Sequence, residues 1–111
     1  MSLYLCAFDG DYELAGVDVG SYETFGDFRK AVAQLVWMGI TRGELPLLLD
    51  HPDGDGEWAV ADLPALRDEL ERLQGKPAAE RFEDTEGQPL VDALIALVSV
   101  AEEHGVPVLF Q

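Results

Sequence analysis

One cysteine, seven Lys and Arg, and no long apolar run: the deficits of this 111-residue chain narrow the field first. A lone Cys6 allows no internal disulfide, and in the run Leu3-Tyr4-Leu5-Cys6-Ala7-Phe8 it reads as a buried structural thiol. The most apolar stretch, from Leu90 to Ala101, contains Asp92 and is too short to span a bilayer. No basic segment leads into a hydrophobic signal region, so cytoplasmic residence is the economical expectation. A glycine-rich phosphate loop with its Lys is missing. Neither His51 nor His104 belongs to a zinc-like spacing, and Ser21 and Ser99 have no recognisable His partner. The expectation is a protein with no catalytic centre, no cofactor and no metal.

What the chain has in excess is negative charge. Twenty-two Asp and Glu against seven basic residues give a formal net charge of -15. Between Glu44 and Asp62 there is no Lys or Arg. Such a surface repels a phosphate backbone and an anionic membrane, and it attracts a basic protein, speeding and orienting encounter. Plain solubility accounts for charge equally well. Apolar residues make up 48% of the chain, enough for the core of one domain over 1–111.

Residues 3–8 and 13–19 read as strands of a hairpin around Asp9-Gly10-Asp11, with Gly16 marking a bulge. Thr24 and Asp27 fit a capping box ahead of a helix to about residue 38, its apolar stripe being Phe25, Phe28, Val32, Leu35 and Val36. Trp37 reads as core or core edge. The run 45–49 reads as a strand, with Pro46 at its start. Asp62 caps a second helix through about Gln74, whose exposed face pairs Arg67 with Glu71. Residues 75–88 are polar around an inward Phe82, with room for a short strand. A third helix spans 89–103, its apolar face broad enough for a central position or a second subunit, so a homodimer is possible. Gly105 caps it, and 106–110 is the final strand. The expected fold is α+β: a small layered sandwich, mixed or antiparallel sheet, about three helices, order β-β-α-β-α-(β)-α-β.

The most distinctive segment is Asp50-His51-Pro52-Asp53-Gly54-Asp55-Gly56-Glu57-Trp58. Its carboxylates suit calcium, but the spacing of an EF-hand loop is missing from either starting Asp. The bland alternative is an acidic surface loop pinned by an inward Trp58. The sharper one is a recognition surface, with acids for steering and an indole as anchor. Tyr4, Tyr12 and Tyr22 are further aromatic candidates.

At this loop the chain resembles a known family. The opening Leu3-Tyr4-Leu5-Cys6-Ala7-Phe8-Asp9, the segment Gly20-Ser21-Tyr22 before Phe25 and Phe28-Arg29, the 51–58 loop before Leu66, Glu69 and Leu70, and the ending from Ala101 to Phe110 resemble the Imm70-type immunity proteins of bacterial polymorphic toxin systems. Where that family has Ser-Asp-Cys-Asp-Gly, this chain has Pro52-Asp53-Gly54-Asp55-Gly56, which removes a cysteine. The resemblance implies a protein that binds and neutralises a cognate toxin inside the producing cell. The charge suits a toxin with a basic surface, blocked sterically and electrostatically. The expected contact residues are Asp50, His51, Asp53, Asp55, Glu57 and Trp58, with Asp9 and Asp11 as a second patch. A calcium- or small-ligand-binding module on the same loop, and a self-associating structural protein, are the alternatives.

Overall fold

A computed structural model describes residues 2–41, 43–49 and 56–111. Strands β1 (Ser2–Asp9) and β2 (Tyr12–Ser21) form the expected antiparallel hairpin, turning at Gly10 with φ 63°. The register slips twice, leaving Leu14 and Val19 as extra residues on β2. Those insertions explain why the apolar positions of β2 do not alternate strictly. Gly16, the expected bulge, instead pairs with Cys6. It makes room for a side chain: a Cβ there would stand 1.9 Å from the Tyr4 hydroxyl, whose ring lies across it.

Helix α1 (Tyr22–Trp37) is capped three residues before the expected Thr24. Ser21 is the N-cap, its hydroxyl accepting from the Thr24 N–H at 3.0 Å, and Thr24 lies inside the first turn. Gly20, at φ 88°, turns the chain from strand to helix, which leaves Ser21 rather than Thr24 at the boundary. Phe25, Phe28, Val32 and Leu35 are buried as the periodicity requires.

The run at 45–49 is not a strand. Pro46–Leu49 forms a single helical turn, α2, because a buried acid from elsewhere in the chain completes it. Both carboxylate oxygens of Glu69, which is 3% exposed, accept backbone N–H groups, from Leu47 at 3.2 Å and Leu48 at 3.1 Å. The third strand lies later, as the two-residue β3 (Glu57–Trp58). Asp62 ends a 3-10 turn and makes no side-chain cap bond. Helix α3 (Leu63–Glu71) follows, with Pro64 in its first turn. Residues 75–88 hold a short helix, α4 (Pro77–Glu80), and an isolated bridge between Glu83 and Pro89 rather than a strand. Phe82 packs edge-on against Phe28, with ring centroids 5.5 Å apart. Helix α5 (Leu90–His104) ends on left-handed Gly105, with the Val106 N–H returning to the Ala101 carbonyl at 3.0 Å, before β4 (Val108–Phe110).

Among the described residues four strands are ordered β2-β1-β4-β3, and each pairing is antiparallel. The molecule is therefore a small α+β fold with the observed order β-β-α-α-β-α-α-α-β. The helices gather on one side of the sheet. Leu3, Leu5, Ala7, Val17, Val19, Trp58, Val108 and Phe110 of the strands share one buried cluster with Phe25 and Phe28 of α1, Leu66 and Leu70 of α3, and Leu94 and Leu97 of α5. The breadth of the α5 apolar face is explained by that central position: Leu90, Val91, Ala93, Leu94, Leu97, Val98 and Ala101 are all buried. Among the described residues no helix is long and apolar enough to cross a membrane.

Candidate partner-binding surface

Of the expected contact residues, Asp50, His51, Asp53 and Asp55 lie outside the described residues. Glu57 and Trp58 are described, and they point in opposite directions. Trp58 is 2% exposed, its ring edge-on to Phe110 at 4.7 Å between centroids. Its indole N–H donates to the Leu47 carbonyl at 2.8 Å. The ring is thus part of the core and ties β3 to α2, the inward placement weighed against partner contact. Glu57 is exposed. It pairs with Leu109, and Leu109 with Cys6, so it belongs to the sheet face opposite the helices.

Asp9 and Asp11 are exposed at the hairpin turn. Asp9 is three residues beyond Cys6 along β1, and Glu57 is two strands away, which separates them by on the order of 14 Å. Gly56 lies on the opposite side of that row: its carbonyl accepts from the Phe110 N–H at 3.1 Å, and Phe110 pairs with Leu5. Glu57 and the hairpin acids therefore occupy different parts of the sheet.

The other face of the sheet has its own character. On β1 the residues that alternate away from the core are Tyr4, Cys6 and Phe8, and they lie outside the buried cluster, as does Leu109. Tyr4, Phe8 and Leu109 are half-buried. Around them stand Glu13, paired with Phe8, Asp18, paired with Tyr4, and Glu57. The Tyr4 hydroxyl donates to Glu13 Oε1 at 2.7 Å, which, with burial, pushes the phenol up to about 12. Burial, followed by the nearby Glu13 charge, also raises the Cys6 thiol, so this cysteine is held in its inert form. The turn at 84–86 reaches the β2 edge through the Thr85 N–H, which donates to the Asp18 carbonyl at 3.0 Å. With Tyr4 and Gly16 it bounds a recess of about 100 Å³.

Negative charge is carried by both layers, but the described positive charge is confined to one. The four strands and the hairpin turn carry Asp9, Asp11, Glu13, Asp18 and Glu57, and no Lys or Arg. Every described basic residue is in or beside a helix: Arg29 and Lys30 in α1, Arg67 in α3, Arg72 just after it, and Lys76 and Arg81 flanking α4. Several of these are engaged locally. Arg67 meets Glu102 at 2.7 Å, joining α3 to α5 in place of the expected Glu71 pair. Arg72 pairs with Asp68, and Arg29 donates to the Leu49 carbonyl.

Trp37, expected in or beside the core, is 83% exposed, with Met38 and Ile40 also exposed beside it. It ends the solvent stripe Glu23, Asp27, Lys30 and Gln34 of α1, a spacing that was readable from the buried Phe25, Phe28, Val32 and Leu35. Tyr12 is exposed at the start of β2, whereas Tyr22 packs against the core. His104 is exposed, with Nδ1 3.0 Å from the Val100 carbonyl, in keeping with a helix-end role. Among the described residues there is no group of three or more His, Cys, Asp or Glu placed to hold a metal ion. No family model, no curated protein and no solved structure matches the chain.

Proposed function

We propose that the protein binds a basic protein and neutralises it by occupying its surface, acting as an immunity protein against a cognate toxin. The observation that carries the reading is the placement of the cations: in a chain of net charge -15 the sheet layer has five carboxylates and no Lys or Arg, and every described Lys and Arg is in or beside a helix. Solubility requires net charge but does not require one face to be free of cations. A one-signed face supplies the steering and orientation that favour a partner of opposite sign. The resemblance of the sequence to immunity proteins supplies the biological setting, with the toxin and this chain meeting inside the producing cell. Blocking is steric and electrostatic and needs no reaction by this chain.

The test is recovery of the tagged protein from its own cells, with mass spectrometry of what accompanies it at low and moderate salt. A stoichiometric basic partner that is lost as salt rises, and whose toxicity the chain suppresses on co-expression, is the expected result. A stoichiometric partner of acidic or neutral surface would sink the proposal.

A further inference from the structure

The helices bury one face of the sheet, and the residues alternating to its other face form a patch with an apolar centre and an acidic surround. Tyr4, Phe8 and Leu109 supply the centre, and Glu13, Asp18 and Glu57 the surround. We infer that this sheet face is where a basic protein docks, its cations meeting the three carboxylates and its apolar surface covering Phe8 and Leu109. The inference rests on the proposed function and adds the location. Several observations converge on it. A polar surround about a half-buried aromatic centre is the anatomy of a protein interface. Gly16 lets the Tyr4 ring lie flat across β2, and the hydroxyl bond to Glu13 fixes that ring before any partner arrives. Complementarity selects the partner: the face has no described cation of its own, whereas the basic residues sit across the molecule on the helical layer. A second copy of this chain would bring the same carboxylates against themselves, which argues against a symmetric dimer through this face.

The alternative surface is the exposed end of α1 at Trp37, on the helical side. It lacks the one-signed charge of the sheet face, since Lys30 shares its stripe and Arg42 follows it in sequence.

Hen lysozyme serves as a defined basic probe, titrated at low salt into the isotopically labelled full chain while backbone amide signals are followed. Shifts concentrated at residues 4–8, 13–18, 57 and 109 are expected. The triple variant Glu13→Gln, Asp18→Asn, Glu57→Gln should bind the probe at least about fivefold more weakly. The control Glu23→Gln, Asp27→Asn, Glu71→Gln, which removes the same charge from exposed helical positions, should change binding by less than about twofold. Equal losses in both triples, shifts centred on residues 37–40, or a dimer dissolved by Phe8→Glu would each overturn the inference while leaving the proposed function standing. Absence of salt-sensitive binding to the probe would overturn both. Should the sheet triple not fold, the map of shifts on the unaltered chain decides alone.

Discussion

Replacing each tryptophan in turn by alanine contrasts the two environments most sharply. Trp58 is 2% exposed, packed on Phe110 and bonded to the Leu47 carbonyl. Truncation there removes nearly the whole ring from the core, leaves a cavity and strands that carbonyl, at a cost of about 3–5 kcal/mol. Against a total stability of about 5–15 kcal/mol, that is a large share. Trp37 is 83% exposed. An indole side chain offers about 250 Å², so roughly 40 Å² is buried, worth about 1 kcal/mol at most at 25 cal/mol per Å². Alanine, the better helix former, returns about half of that. Trp37→Ala should therefore lie within about 1 kcal/mol of the parent. Urea unfolding followed by far-ultraviolet circular dichroism measures both, with the slope against denaturant unchanged. Acrylamide should quench the indole left in Trp58→Phe readily and the one left in Trp37→Phe poorly. A loss above about 2 kcal/mol for Trp37→Ala, or below about 1 for Trp58→Ala, would refute these placements.

Two further substitutions probe the sheet face and the buried carboxylate. Gly16→Ala forces the Tyr4 ring off β2, so the tyrosine titration now pushed to about 12 should return toward the ordinary value near 10, read by tyrosinate absorbance. Because the folded value is raised, the stability linked to Tyr4 is fully present below the ordinary value and is lost as pH rises through about 12. An unmoved titration would show that Tyr4 does not lie across Gly16. Glu69→Ala leaves the Leu47 and Leu48 N–H groups without their acceptor and should cost about 2–3 kcal/mol in denaturant unfolding. Burial raises the Glu69 carboxyl, partly offset by those two N–H groups. Its linked stability is therefore present below the ordinary carboxylate value and is lost as pH rises through the folded one. Glu69→Gln should flatten the rise in stability toward mild acid relative to the parent, and an identical pH profile would contradict this.

Local patterns carried much of the fold. The hairpin turn, the buried stripes of α1, α3 and α5, and the Gly105 cap follow from residue spacing alone and stand where that spacing puts them. The departures trace to partners distant in sequence. An apolar run such as Leu45-Pro46-Leu47-Leu48-Leu49 suits strand or helix, and the deciding influence is Glu69, twenty-odd residues later, whose carboxylate caps the turn. Helix α1 begins early because Gly20 bends the chain before Ser21, and either Ser21 or Thr24 is a good cap by composition. Glu102, unfavourably charged for its helix end, is compensated across the fold by Arg67. The candidate surface was legible only in part. Tyr4 and Glu57 are named by composition, but the face they share depends on the strand order β2-β1-β4-β3, which no local pattern encodes. Trp37 was misplaced because an indole on an amphipathic helix suggests burial, while its spacing from Lys30 and Gln34 puts it on the solvent side.

Protection in cells is the sharpest test of blocking through the sheet face. The basic partner recovered with this chain is co-expressed with the unaltered protein, with the sheet-face triple Glu13→Gln, Asp18→Asn, Glu57→Gln, or with the helical-face control, and growth is measured. Protection is expected from the unaltered chain and from the control, and its loss from the sheet-face triple at equal protein level. Equal protection by all three would contradict it.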